Sequence, residues 1–227
     1  MITGINLNKK FKTKKVIDGL DIHVPDHSIF GLLGENGCGK TTLLRILLGF
    51  ASVDGGSFLV NRSADPTIIR LNTGILWDEM GFDPDQTGEQ NLKITACIKE
   101  IDKEIWMDLA GKFGIAKDLK RRVEDYSLGM KRKLGLVSVF MKEYPLYIFD
   151  EPTNGLDYTQ QSLFWDMVKT KNKQGSTIMV TSHILPDIEN NCSHVGFMAN
   201  GKIQFSGSIE ETLAQHNSLS NLFSPIN

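Results

Sequence analysis

The stretch from Ser28 to Thr42, SIFGLLGENGCGKTT, constrains this chain more than any other. Residues 28–34 are a continuous apolar run ending in glycine, which predicts a strand buried on both faces. Residues 34–41 then read G-x-x-x-x-G-K-[ST], and a helical apolar pattern runs from Thr41 to Leu48. Strand, glycine-rich turn and helix, in that order, predict a loop that wraps a phosphate chain. The glycines let successive backbone N–H groups curl around an anion. The helix N-terminus adds its positive partial charge. The candidate binding residues are Gly34, Asn36, Gly37, Cys38, Gly39, Lys40, Thr41 and Thr42. Lys40 supplies a point charge to β- and γ-phosphates, and Thr41 a hydroxyl for Mg²⁺.

Such a loop serves kinases, GTPases, helicases and motors alike, and a second motif narrows the field. LYIFDE (146–151) ends a buried strand in two carboxylates. In phosphoryl transfer one carboxylate holds the metal and the next orients and deprotonates the attacking water. Asp150 suits the first role and Glu151 the second. A strand-end Asp-Glu can also simply cap the turn that follows.

Buried strands and helices alternate at both ends of the chain. LDIHV (20–24) and TIMVTS (177–182) read as strands, residues 158–173 as a helix, and HVGFMA and KIQFSG flank the hairpin signal Asn200-Gly201. Ser208 followed by Glu211 suits a capping box opening a last helix. Residues 54–76 are mixed. Residues 88–140 read as mostly helical, with Ile98, Ile101, Ile105, Trp106 and Leu109 at three- and four-residue spacing. The expected architecture is a single α/β unit spanning 1–227, with a mixed, largely parallel core and a helical insert at about 78–145.

Net charge is −2, so no global field favours nucleic acid as a partner. Three cysteines without metal-ligand spacing, a start without an apolar signal core, and no apolar run of membrane-spanning length predict a cytosolic protein. Five lysines crowd residues 9–15. They read as a solvated loop between early strands, with contact to an anionic lipid or a partner as the alternative.

With these motifs in order, the chain resembles the ATPase subunit of ATP-binding cassette (ABC) transporters from about Ile2 to Phe223. EPTNGLD (151–157) resembles the stretch from catalytic glutamate to D-loop, ending at Asp157. TSH (181–183) resembles the switch-histidine segment, and YSLGM (126–130) the signature motif in the form common among bacterial drug and peptide exporters. The resemblance implies ATP and Mg²⁺ as cofactors, Lys40, Glu151 and His183 as catalytic residues, and Phe11 as the aromatic under the adenine. It implies that two such units pair head to tail, so that Ser127 and Gly129 reach an ATP held by the other subunit. It implies a separate membrane permease as partner, a peripheral position on the inner face of the cell membrane, and an antiparallel β part beside the P-loop core. Asp78 falls where the family carries a metal-contacting glutamine or glutamate, with Glu79 adjacent, and Gln90 falls where T-x-x-E-N-L has its glutamate. The basic residues Lys131, Arg132 and Lys133 read as a solvated helix face. Two other readings remain open: a soluble ABC ATPase without a transport role, and an ATP-dependent regulatory subunit with little turnover.

Overall fold

A long hairpin opens the chain. Strands β1 (Ile2–Phe11) and β2 (Lys14–Val24) pair antiparallel, from Ile2 opposite Val24 to Phe11 opposite Lys14. The computed structural model describes residues 1–77 and 81–220. Strand β3 (Ile29–Leu33) follows, then helix α1 (Lys40–Leu47). Strand β4 (Gly55–Val60) returns to pair with β1, completing a three-stranded antiparallel sheet in the order β2-β1-β4. Helix α2 (Pro66–Leu71) starts at Asp65, whose carboxylate accepts from the backbone N–H of Thr67, with proline at the first helical position where it loses no bond. Strand β5 (Thr73–Leu76) ends the first half.

Three α-helices then follow: α3 (Gly88–Lys99), α4 (Lys103–Lys112) and α5 (Leu128–Phe140). The remainder alternates: β6 (Leu146–Asp150), α6 (Tyr158–Lys173), β7 (Thr177–Ser182), α7 (Leu185–Asn191), β8 (His194–Ala199), β9 (Lys202–Ser208) and α8 (Ile209–His216). The second sheet has the order β5-β6-β7-β3-β8-β9. All of its neighbours run parallel except the β8–β9 hairpin, which turns at Asn200-Gly201. The mixed sheet, the antiparallel part and the hairpin agree with the sequence reading. No helix among the described residues is long and apolar enough to cross a membrane.

Both faces of the central strands β3, β6 and β7 are buried, so these strands are rich in apolar residues on both sides, whereas the edge strand β9 alternates with exposed polar positions. Along β6, Leu146 and Ile148 face the core shared with α1 and the antiparallel sheet, whereas Tyr147 and Phe149 face the helical side. There Phe149 meets Phe140 of α5 at 5.4 Å and Phe164 of α6 at 5.1 Å between ring centroids. This aromatic cluster ties α5 to the strand that ends in Asp150 and Glu151.

The helical pattern read across residues 98–109 contains a break. Glu100 sits in the left-handed region at φ 56 and ends α3, so the phase restarts in α4. Trp106 and Leu109 are buried, but Ile98 and Ile105 face solvent. The start of α3 carries a full capping box. The Thr87 hydroxyl accepts from the Gln90 N–H, and the Gln90 side chain accepts from the Thr87 N–H at 2.8 Å. Glutamine therefore does at this position the capping work that a glutamate would.

The lysine-rich segment is a hairpin tip, and it is not wholly solvated. Lys9 is buried and forms an ion pair with Asp54 at 2.9 Å, closing β1 against the start of β4.

Candidate phosphate-binding site

The loop 34–39 joins β3 to α1. Gly39, the residue before the helix, has φ 116, and a side chain there would meet the Val16 carbonyl oxygen at 3.0 Å and Met198 at 2.8 Å. Only glycine can hold that conformation in that space. Lys40 opens α1 and is 6% exposed. Its ammonium folds back over the loop, donating to the Gly34 carbonyl at 2.6 Å and to that of Glu35 at 3.4 Å.

Strand β6 brings the two carboxylates to the same place. Asp150 is 2% exposed. Its Oδ2 accepts from the Thr41 hydroxyl at 2.8 Å and its Oδ1 from the Thr181 hydroxyl at 2.6 Å. Asp150 and Thr181 are register partners on β6 and β7. The same Thr181 oxygen accepts the Glu151 backbone N–H at 2.9 Å. One hydroxyl therefore fixes both the carboxylate of Asp150 and the backbone of Glu151. Glu151 itself adopts φ 48, a conformation that a non-glycine residue enters at some cost in energy. The turn aims its side chain back across the end of the sheet. There Oε2 lies 2.9 Å from Nδ1 of His183, just past β7, and Oε1 lies 3.5 Å from the Lys40 ammonium. Oε1 is buried without a hydrogen bond.

Lys40, Thr41, Thr42, Asp150 and Glu151 line one cavity of about 420 Å³ with the loop residues Asn36, Gly37 and Gly39, and Thr181 and His183 are not among its walls. Val16 and Asn154 complete it. Neither was named as a candidate: Val16 lies on a strand of the other sheet, and Asn154, though inside EPTNGLD, sits in the turn after Glu151. Thr181, the first residue of TSH, was likewise not named as a contact, because its role depends on pairing opposite Asp150. A second cavity of about 530 Å³ adjoins the first, shares Val16, Asn36 and Gly37, and reaches Cys38, Lys14, Lys15 and the Asn200-Gly201 turn.

Four of the remaining candidates stand apart from both cavities. Phe11 is half exposed at the end of β1, with the Lys9 ammonium 5.3 Å from its ring centre. Ser127 caps α5, accepting from the Met130 N–H at 3.3 Å. Gly129 packs against the turn after Glu151, where any side chain would come within 2.4 Å of the Gly155 carbonyl oxygen. Asp157 caps α6 by accepting from the Gln160 N–H, with Lys133 3.7 Å away. Asp78 lies outside the described residues.

The basic turn of α5 is not a solvated face. Arg132 is 2% exposed, and Lys131 and Lys133 are half-buried. Helical periodicity predicts a position but cannot tell which side of α5 meets the sheet, and Arg132 points inward.

Among the described residues no cluster of three or more His, Cys, Asp or Glu side chains is placed to hold a metal. Thr41 and Asp150 nevertheless offer two hard oxygen donors on one wall of the cavity. Such a pair suits Mg²⁺, which keeps several waters and takes the rest of its ligands from substrate phosphates.

A family model described as ABC transporter matches residues 17–154. A lantibiotic transport ATP-binding protein of Streptococcus pyogenes is 29% identical over 198 residues, covering 87% of this chain and 86% of its own. A bacitracin transport ATP-binding protein of Enterococcus faecalis is 33% identical over 211 residues, covering 91% of this chain and 68% of its own. Among solved structures, an ATP-binding subunit of an ABC transporter superposes with a TM-score of 0.88 at 23% identity, covering 98% of each chain.

Proposed function

This chain belongs to the ABC transporter family, and from that premise we propose that it binds and hydrolyses ATP to power a separate membrane permease, one that exports an antimicrobial peptide or drug. The observation that carries the ATPase reading is the convergence of Thr41, Asp150, Lys40 and Glu151 on one cavity beneath a glycine-rich loop. The triphosphate lies along the loop, with backbone N–H groups and the α1 N-terminus facing it. Lys40 turns from the loop carbonyls to the β- and γ-phosphates. Thr41 and Asp150 hold Mg²⁺, which neutralises charge on the phosphates when bound. Asp78 is proposed as a further metal contact from its place in the sequence alone.

Glu151 is the general base. Its Oε1 makes no hydrogen bond and faces the Lys40 ammonium at 3.5 Å, so once Lys40 turns to the phosphates its lone pairs can take a proton from water. His183 orients Glu151 through Oε2 and faces the γ-phosphate. Phe11 supports the adenine at the edge of the site. Ser127, Gly129 and Asp157 serve the nucleotide of a second subunit; in support, none of the three lines this chain's own phosphate cavity. The pair is a homodimer or a heterodimer formed in the presence of ATP.

The lantibiotic and bacitracin transport relatives support the exporter reading. The α3 surface supports a partner of some kind, since Ile94 and Ile98 stand one turn apart and exposed. The chain works as one nucleotide-binding domain, with the helical block at about 78–145 inserted in its core, at the inner membrane face through the permease. Phosphate release by the purified chain with MgATP, compared with Glu151→Gln, tests the ATPase. Co-purification with a membrane protein from the native host tests the permease. A wild-type chain that neither binds nor turns over MgATP ends the reading.

A further inference from the structure

Arg132 is a cation, 2% exposed, that the chemistry above does not use. Its Nη1 donates to the Trp77 carbonyl at 2.9 Å and lies 3.4 Å from the Asp150 carbonyl. Trp77 is the first residue after β5, and Asp150 the last of β6. These two strands are parallel neighbours, with Leu76 opposite Phe149. Their pairing ends there, so the carbonyls of Trp77 and Asp150 lie beyond the β5–β6 ladder. A guanidinium can serve several such carbonyls at once, because its donors are fixed in a planar fork.

The same residue belongs to the helix that begins at the Ser127 cap. They are five positions apart, about 7.5 Å along the helix axis. Gly129 lies in between, against Gly155. Any shift of the first turns of α5 therefore pulls on the carbonyl of Asp150, next to the backbone that aims Glu151.

We propose that Arg132 is a positioning residue that couples the α5 N-terminus to the placement of Asp150 and Glu151. It rests on the ATPase reading above. It acts by holding the ends of β5 and β6 in fixed register with α5.

Two variants test it. Arg132→Met keeps the volume and removes every donor; Arg132→Lys keeps a charged donor and loses the fork. The expected result is a split. For Arg132→Met, kcat falls by about 10- to 100-fold, the scale of a small misplacement in a catalytic site, while KM and binding of a fluorescent ATP analogue stay within about threefold of wild type, roughly 0.6 kcal/mol by the tenfold-per-1.4 rule. Arg132→Lys recovers part of kcat. Thermal melts establish that each variant is folded, and if Arg132→Met does not fold, the kcat of Arg132→Lys alone is the measure, expected several-fold below wild type with KM unchanged. An unchanged kcat in the folded variants overturns the proposal. So does a parallel loss of binding and turnover, which marks a purely structural arginine. A wild-type chain inactive with MgATP strikes the ATPase reading instead, a result that no variant can mimic.

Discussion

Glu151 and His183 meet through a single contact, Oε2 to Nδ1 at 2.9 Å, across the ends of β6 and β7. A carboxylate has only lone pairs to offer, so in this contact the imidazole donates from Nδ1. Glu151 is thus held by His183 at one oxygen, while the other faces the Lys40 ammonium at 3.5 Å without a hydrogen bond. His183→Ala should keep ATP binding near wild type and lower kcat, by less than the loss of Glu151 itself, whose replacement by Gln removes general-base catalysis worth about 10²–10⁴-fold. Phosphate-release kinetics on the two variants decide the order. Equal losses would mean that His183 does more than orient Glu151.

Lys40 is 6% exposed and donates to loop carbonyls. Lys40→Ala should abolish hydrolysis and weaken ATP binding, since a buried triphosphate loses its charge-assisted partner. Wild-type turnover in this variant would remove Lys40 from the site.

Thr181 serves two acceptor and donor needs at once, binding Asp150 Oδ1 at 2.6 Å and the Glu151 N–H at 2.9 Å. Thr181→Val keeps the shape and deletes both bonds. Leaving these buried groups unpaired should cost about 1–3 kcal/mol. At this chain length each kcal/mol lowers the melting temperature by about 2–4 °C. Turnover should fall as well, because Glu151 loses its backbone anchor. Calorimetry showing no change in melting temperature would contradict the role given to this hydroxyl.

Cys38 is half-buried in the loop and lines the cavity beside the phosphate pocket. A thiol-alkylating reagent should inactivate the protein, and MgATP should slow the reaction by covering the loop. Identical inactivation rates with and without nucleotide would place Cys38 away from the bound phosphates.

Ser127 caps α5 outside this chain's own phosphate cavity. Glu151→Gln with MgATP should therefore trap ATP between two subunits and run as a dimer on sizing, or pair only with a second cassette. Adding Ser127→Arg should break that dimer by crowding the partner's triphosphate, while leaving ATP binding to the same chain intact. A stable ATP-dependent dimer of the double variant would sink the trans role of the signature turn.

The phosphate loop, the carboxylate pair and the Asn200-Gly201 hairpin were legible from residue order alone, because each depends on neighbours within a few positions. Strand β3 announces its burial by a continuous apolar run, and the glycine pattern after it needs no distant partner to be recognised. Long-range pairing was not legible. Nothing in residues 9–15 shows that Lys9 turns inward to meet Asp54, or in residues 131–133 that Arg132, not its neighbours, faces the sheet. A helix has one phase but many possible partners, and which face is buried depends on where β5 and β6 end. Thr181 likewise acquires its role only when parallel pairing sets it opposite Asp150. The order of residues alone shows which chemical groups this protein carries and where a glycine-rich loop joins a buried strand to a helix. Only the packed structure shows which oxygen of Glu151 meets His183 and which faces Lys40, and which arginine donates to the strand-end carbonyls, because those facts arise from contacts between segments far apart in the chain.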